Sequence, residues 1–149
     1  MIRPANPSDE PAIRQCAEQA YAPYVAVIGR KPAPMLADYA AQIAAGIVHV
    51  AVEDHSAVLG FVVCYAEQRH MLLENVAVLP SAAGQGVGKS LIDFCENAAR
   101  QRGLESVQLY TNERMTDNLS IYPRLGYVEV GRRIEQGFKR VYFEKRLRP

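Results

Sequence analysis

Three glycines at alternate positions, Gly84, Gly86 and Gly88, stand inside the segment Val76-Ala77-Val78-Leu79-Pro80-Ser81-Ala82-Ala83-Gly84-Gln85-Gly86-Val87-Gly88-Lys89-Ser90-Leu91. A β-branched run precedes them and apolar residues at helical spacing follow, so the segment reads as a strand that turns through glycine into a helix. That arrangement suits a phosphate. Successive backbone N–H groups converge at a helix N-terminus, the helix dipole adds partial positive charge, and glycine lets a ligand reach the backbone without meeting a Cβ. The expected occupant is an anion of the pyrophosphate kind. A Rossmann dinucleotide site needs Gly-x-Gly-x-x-Gly, a spacing that 84, 86 and 88 do not provide. A nucleoside-triphosphate loop is the nearer rival, because Gly88-Lys89-Ser90 supplies its ending and Ala83 takes its first glycine position. Such a P-loop hydrolase also needs a downstream strand ending in a magnesium-binding Asp, and the next strand here ends Leu109-Tyr110-Thr111-Asn112.

The loop resembles the coenzyme A loop of the GNAT superfamily of N-acetyltransferases, whose pattern is Arg/Gln-x-x-Gly-x-Gly/Ala after a strand and at the opening of a helix. Gly86 and Gly88 match the two small positions, and Pro80 stands where members commonly carry a proline. The first position, Arg or Gln in the family, is Ala83, which keeps a backbone N–H but no polar side chain. A second stretch, Asn118-Leu119-Ser120-Ile121-Tyr122-Pro123-Arg124-Leu125-Gly126-Tyr127, is similar to the family's late segment ending Tyr-x-x-Leu-Gly-Phe/Tyr. The asparagine that many members carry seven residues before that tyrosine is Met115 here.

The resemblance covers nearly the whole chain and implies transfer of the acetyl group of acetyl-CoA to a primary amine of a small molecule or peptide, by direct attack in a ternary complex. It implies that Val76 and Val78 present backbone groups to the pantetheine arm. Gly84, Gln85, Gly86, Val87, Gly88 and Lys89 would hold the pyrophosphate. Tyr122 would protonate the departing thiolate, a task that suits a phenol whose pKa of about 10 is not far above that of a thiol. Asn118, one helical turn away, would face the cofactor with it. Glu74, just before the pantetheine strand, is the first candidate for the base that deprotonates the amine, and Glu113 is the alternative. A non-catalytic acyl-CoA-binding module is the competing reading, kept open by Ala83 and Met115.

The elements that must position these residues are legible from periodicity. Ile2 to Ala5 reads as an edge strand, and Asn6-Pro7-Ser8-Asp9 supplies turn and capping chemistry for a helix bearing Ile13, Ala17, Ala20, Tyr21 and Tyr24 on one face. Gly29 to Pro34 breaks the chain, and Met35, Leu36, Tyr39 and Ile43 predict a second, shorter helix ended by Gly46. Strands follow at 47–52 and 58–65, joined by the turn Asp54-His55-Ser56, and a third runs from Met71 to Leu79. Val87 to Arg102 reads as a helix closed by Gly103, then Val107 to Tyr110 as a buried strand and Met115 to Leu125 as a short helix. Pro123 predicts that this last helix ends or kinks at Tyr122. Residues 127–134 and 138–143 form a hairpin over Glu135-Gln136-Gly137. The order βααβββαβαββ implies an α/β fold, a mixed and mostly antiparallel sheet with helices on both faces and a central strand-loop-helix coenzyme A site.

Composition bounds the rest. With 149 residues, 49% of them hydrophobic, the chain suffices for one domain, residues 1–149. Seventeen basic residues dispersed among sixteen acidic ones give a net charge of +1, which argues against a nucleic-acid partner. No signal peptide or membrane span is legible, so a cytoplasmic protein is expected. A homodimer is compatible with this reading. Cys16, Cys64 and Cys95 are read as small core hydrophobes, and neither they nor His49, His55 and His70 have metal-ligand spacing. The acceptor wall is expected between the first two helices, where Tyr21, Tyr24 and Tyr39 either line an amine site or pack, and Arg30 and Lys31 either bind a carboxylate or face water.

Overall fold

A computed structural model describes residues 1–53 and 57–147, so the turn expected at Asp54-His55-Ser56 lies outside the described residues. The elements are β1 (Ile2–Pro4), α1 (Glu10–Ile28), α2 (Tyr39–Ala44), β2 (Val48–Val52), β3 (Val58–Glu67), β4 (His70–Val78), α3 (Val87–Gln101), β5 (Ser106–Asn112), α4 (Thr116–Arg124), β6 (Val128–Glu135) and β7 (Phe138–Arg146). Their order is the one read from the sequence. The strands make a seven-stranded mixed sheet in the order β1-β2-β3-β4-β5-β7-β6. β1–β2, β2–β3, β5–β7 and β6–β7 pair antiparallel. β4 and β5 pair in parallel over His70–Leu73 and Ser106–Leu109, as a helical crossover through α3 requires. The chain falls into two compact units, residues 1–64 with 75–94 and residues 65–74 with 95–149.

In the first unit the start of α1 is pinned by charge. The Asn6 N–H donates to Asp9 Oδ2 at 2.7 Å, and the Arg3 guanidinium grips both Asp9 oxygens at 2.8 and 3.1 Å. The helix stops at Gly29, whose φ of 92° only glycine adopts freely. Its buried face of Ile13, Cys16 and Ala17 joins Tyr39 and Ile43 of α2, Val48 and Val50 of β2, and Phe61 and Val63 of β3 in one apolar cluster. Gly60, on the alternate side of β3, faces α3: a Cβ there would lie 2.6 Å from the Ala77 carbonyl oxygen and 3.3 Å from Leu91 Cδ1. Helices therefore cover both faces of this part of the sheet.

α2 is shorter than its apolar spacing suggested. Residues Ala33–Met35 make a single 3-10 turn, and the helix begins only at Tyr39 because the Asp38 carboxylate accepts the Ala41 N–H at 3.0 Å as its N-cap. Leu36 therefore falls outside the helix and stays 68% exposed rather than joining the core.

In the second unit Met71 and Leu73 of β4, Val107 and Leu109 of β5, and Val141 and Phe143 of β7 are buried. The Glu96 carboxylate on α3 is 4% exposed and accepts the Tyr127 hydroxyl and the Lys145 ammonium, both at 2.9 Å. α4 runs through Pro123 to Arg124, so the helix neither stops nor breaks at Tyr122. Pro123 has no N–H to offer the Leu119 carbonyl one turn back, and the helix runs one residue beyond it. The Tyr122 carbonyl then accepts the Leu125 and Tyr127 N–H groups at 3.0 and 3.1 Å, which closes the turn at Gly126, φ 96°. The β6–β7 hairpin turns on Gln136 and Gly137, with φ of 53° and 80°.

Two stability predictions follow from these contacts. Gly60→Ala drives a methyl into a backbone carbonyl, and thermal unfolding is expected to show a loss of roughly 1–3 kcal/mol. Gly88→Ala, whose Cβ would meet Val78 Cγ2 at an ordinary 3.5 Å, serves as the control with an unchanged or higher Tm. The hydrogen bond from Arg3, more than that from Asn6, holds the Asp9 carboxyl below its ordinary value. A depressed carboxyl stabilises the fold above the unfolded-state value near 4 and loses that contribution as pH falls through the lower folded-state value. Asp9→Asn should therefore unfold earlier at pH 7 by roughly 1–2 kcal/mol, with the gap to wild type closing below pH 4 in denaturant titrations.

Candidate active site

Along β4 exposure alternates, Met71, Leu73, Asn75 and Ala77 being buried while Glu74, Val76 and Val78 are half-exposed. Past Val78 the Leu79 N–H still donates to the Leu59 carbonyl of β3 at 2.8 Å, and Pro80–Ala82 then makes one 3-10 turn anchored by the buried Ala82. The Ala83 N–H donates to the Pro80 carbonyl at 3.2 Å. This amide is spent on the loop's own turn.

The glycines divide into two kinds. Gly84 and Gly86 both have φ of 81°, and a Cβ on either would meet nothing within 4 Å, so the backbone conformation demands glycine and the space beside it is open. Gly88 has neither feature and belongs to the first turn of α3. The Ser90 N–H donates to the Gly86 carbonyl at 3.0 Å. The amides of Val87, Gly88 and Lys89 precede it and emerge at the helix N-terminus, beside the glycines. Gln85 is exposed. Lys89 is exposed as well and bonds Asp93 at 2.9 Å along its own helix. The donors that fit a pyrophosphate here are backbone groups.

Beneath this loop lies a polar cluster the sequence did not announce. Asn75, 6% exposed, accepts the Tyr21 hydroxyl at 2.8 Å on its amide oxygen and donates from its amide nitrogen to the Tyr39 hydroxyl at 2.9 Å. The Tyr39 hydroxyl bonds the Pro34 carbonyl, and the Tyr21 hydroxyl lies 3.1 Å from the Val76 carbonyl. Tyr39, 2% exposed and edge-on to Phe61, packs rather than lining an open amine site. Arg30 and Lys31 are exposed beyond the end of α1.

The remaining candidates belong to the second unit. Tyr122 is 6% exposed, with the rings of Tyr127 and Phe143 at 5.6 and 5.9 Å between centroids, and burial raises its phenol well above the usual range. It is protonated at neutral pH and can donate, not accept, a proton. Asn118 donates to Thr111 Oγ1 at 3.1 Å, tying α4 to the end of β5. The two candidate bases differ in company. Glu113 stands between Lys139 and Arg132, at 3.8 and 3.9 Å, in a cluster of opposite charge. Glu74 accepts the Tyr65 hydroxyl at 3.2 Å. Tyr110 stands close enough for the Glu74 charge to oppose its ionisation, and Arg140 stacks on the Tyr110 ring at 4.3 Å. Tyr65 and Tyr110 were not singled out in the sequence, since each meets Glu74 from a different strand and no spacing records that meeting. Among the described residues no group of three His, Cys, Asp or Glu stands together to hold a metal, and no helix is long and apolar enough to cross a membrane.

Comparison with known proteins agrees with this geometry. A family model described as the acetyltransferase (GNAT) domain matches residues 44–129, more than half of the chain. The aminoalkylphosphonate N-acetyltransferase of Salmonella typhimurium strain LT2 is 38% identical over 55 residues, covering 37% of this chain and 36% of that protein. The chain thus spans about a third of that relative's length. The PaiA N-acetyltransferase of Thermoplasma acidophilum, solved with coenzyme A, superposes with a TM-score of 0.82 over 99% of this chain and 98% of its own, at 17% identity, a likeness of fold. Nourseothricin acetyltransferase is 25% identical with a TM-score of 0.62, over 66% of this chain and 64% of its own. The strand-loop-helix with its two left-handed glycines lies inside the matched region, and the chain belongs to the GNAT acetyltransferase family, whose members are acyltransferases.

Proposed function

We propose that residues 1–149 act as one N-acetyltransferase domain that transfers the acetyl group of acetyl-CoA to a primary amine of a small molecule or peptide, by direct attack in a ternary complex. The observation that carries this reading is the cradle at Gly84–Lys89, where left-handed glycines leave open space beside the helix amides, in a chain of this family. Cys16, Cys64 and Cys95 are buried as thiols, which suits the reducing cytoplasm.

Bound acetyl-CoA supplies a thioester carbonyl for a neutral amine to attack. In this reading the residues 84–89 hold the pyrophosphate, Val76 and Val78 offer backbone groups to the pantetheine arm, and Asn118 borders it. Glu74 takes the proton of the amine. Its carboxylate accepts the Tyr65 hydroxyl, whereas Glu113 stands beside Lys139 and Arg132. Tyr122 donates to the departing sulfur. Because burial raises its phenol further above a thiol, its contribution is a hydrogen bond that strengthens as charge develops on sulfur, more than a completed proton transfer.

The direct test is acetyl-CoA consumption, read by thiol release, against aminoalkylphosphonates, polyamines, aminoglycosides, amino acids and peptides. Acetyl-CoA is expected to raise the Tm, with about 2.7 kcal/mol of stabilisation at a hundredfold excess over Kd, while free acetate does nothing. Gly86→Val should abolish that shift, since it both strains a φ of 81° and fills the cradle. Lys89→Ala should weaken binding only several-fold, since an exposed charge contact is worth roughly 1 kcal/mol or less. A Tm indifferent to millimolar acetyl-CoA, or turnover that requires magnesium and ATP and vanishes in Lys89→Ala, would refute the assignment.

Tyr122→Phe keeps the ring packing against Tyr127 and Phe143 and removes only the hydroxyl. Steady-state kinetics should show turnover falling by roughly tenfold or more, with KM for acetyl-CoA within about twofold. Turnover within about twofold of wild type would make Tyr122 a packing residue alone.

A further inference from the structure

Glu74 lies on β4, and in the sheet β4 runs between β3 and β5. Each neighbour contributes a tyrosine to it. Tyr65, near the end of β3, donates its hydroxyl to Glu74 Oε1 at 3.2 Å. Tyr110 of β5 lies on the other side, and it is itself immobilised: Arg140 of β7 stacks on its ring at 4.3 Å and Tyr142 of β7 lies 5.5 Å away between centroids. Arg140 in turn bonds Glu135 of β6 at 3.5 Å, and Tyr142 bonds the same carboxylate.

We propose that Tyr65 is a positioning residue for the acetyl-transfer base, holding the Glu74 carboxylate in one rotamer and in its ionised, proton-accepting form. This inference rests on the reading of Glu74 as the base. The geometry supports it in three ways. A glutamate has three side-chain torsions to immobilise, and one fixed donor removes much of that freedom. A hydrogen bond given to a carboxylate favours its charged form over the neutral one. The donor also keeps its proton: burial, and then the Glu74 charge, push the Tyr65 phenol up to about 12, so it donates throughout the pH range in which an amine is acetylated. Among the neighbouring charges, Glu67 on β3 further opposes ionisation of Tyr65, and at Tyr110 the Arg140 charge favours ionisation while Glu135 opposes it.

The test compares Tyr65→Phe and Glu74→Gln in the full chain with acetyl-CoA and an amine accepted in the thiol-release assay. In Tyr65→Phe the acidic limb of the kcat/KM profile should move up by about half to one pH unit. Activity would then fall about threefold to tenfold at pH values below that limb and return to within about twofold of wild type above it. KM for acetyl-CoA should not change. A merely structural role would lower activity by the same factor at every pH. A reciprocal measurement covers the case in which Tyr65→Phe folds poorly. With tyrosine replaced by 3-fluorotyrosine, whose more acidic phenol ionises within the stable range, the residue 65 signal in fluorine NMR should titrate at lower pH in Glu74→Gln than with Glu74 present. An unmoved limb in a folded Tyr65→Phe, or an unmoved fluorine titration, overturns the proposal. If Glu74→Gln itself keeps the acidic limb, Glu74 is not the base and the underlying reading fails. If Glu74→Gln removes the limb while neither Tyr65 measurement responds, only the role of Tyr65 is wrong.

Discussion

A buried amide must be satisfied at both ends, and Asn75 meets that demand in a way that organises the first unit around it. Its oxygen and nitrogen are met by hydroxyls from two different helical segments, Tyr21 of α1 and Tyr39 of α2. Leaving either end unmet would cost on the order of 1–3 kcal/mol. The bonds therefore specify where both helices lie on β4, and the Tyr39 hydroxyl extends the specification to the Pro34 carbonyl between them. Asn75 lies three residues before the end of the strand that feeds the glycine loop. The same network that seats the helices thus also sets the direction from which β4 delivers that loop.

The second unit has its own counterpart in Glu96. A carboxylate 4% exposed survives only with partners, and here a phenol and an ammonium supply them. One consequence reaches the candidate acid. Tyr127, held by Glu96, presents its ring edge to Tyr122, and Phe143 closes the other side. The Tyr122 ring is thereby fixed by packing while its phenol is raised by the burial that packing creates. Position and proton affinity come from one cause.

The two halves of the proposed chemistry use different physics. The loop holds an anion with backbone dipoles, and its selectivity is a matter of φ angles and absent Cβ atoms at Gly84 and Gly86. The base is chosen by side-chain company. Glu113 and Glu74 are both half-exposed carboxylates, but Glu113, just past the end of β5, sits between Lys139 and Arg132, while Glu74, at the middle of β4, accepts the Tyr65 hydroxyl. The stacked row of Arg140, Tyr110 and Tyr142 beside Glu74 adds rigidity where a proton has to be received at a defined point.

The sequence by itself determined the order of the elements, the strand-glycine-helix motif and the family, because each rests on information local in the chain. Periodicity marks a face, and glycine marks a left-handed φ at positions 84 and 86 whatever surrounds them. It misjudged features in which a neighbour intervenes. Asp38 caps α2 so that it begins four residues later than the apolar spacing suggested, and α4 continues one residue past Pro123. Only the tertiary structure decided that Tyr39 is a buried strut, that Glu113 is paired with cations, and that Tyr65 bonds Glu74. Those outcomes depend on which strands lie side by side and in what register. Residues 65 and 110 reach one carboxylate because the sheet places β3 and β5 on either side of β4, and no spacing along a single strand contains that fact.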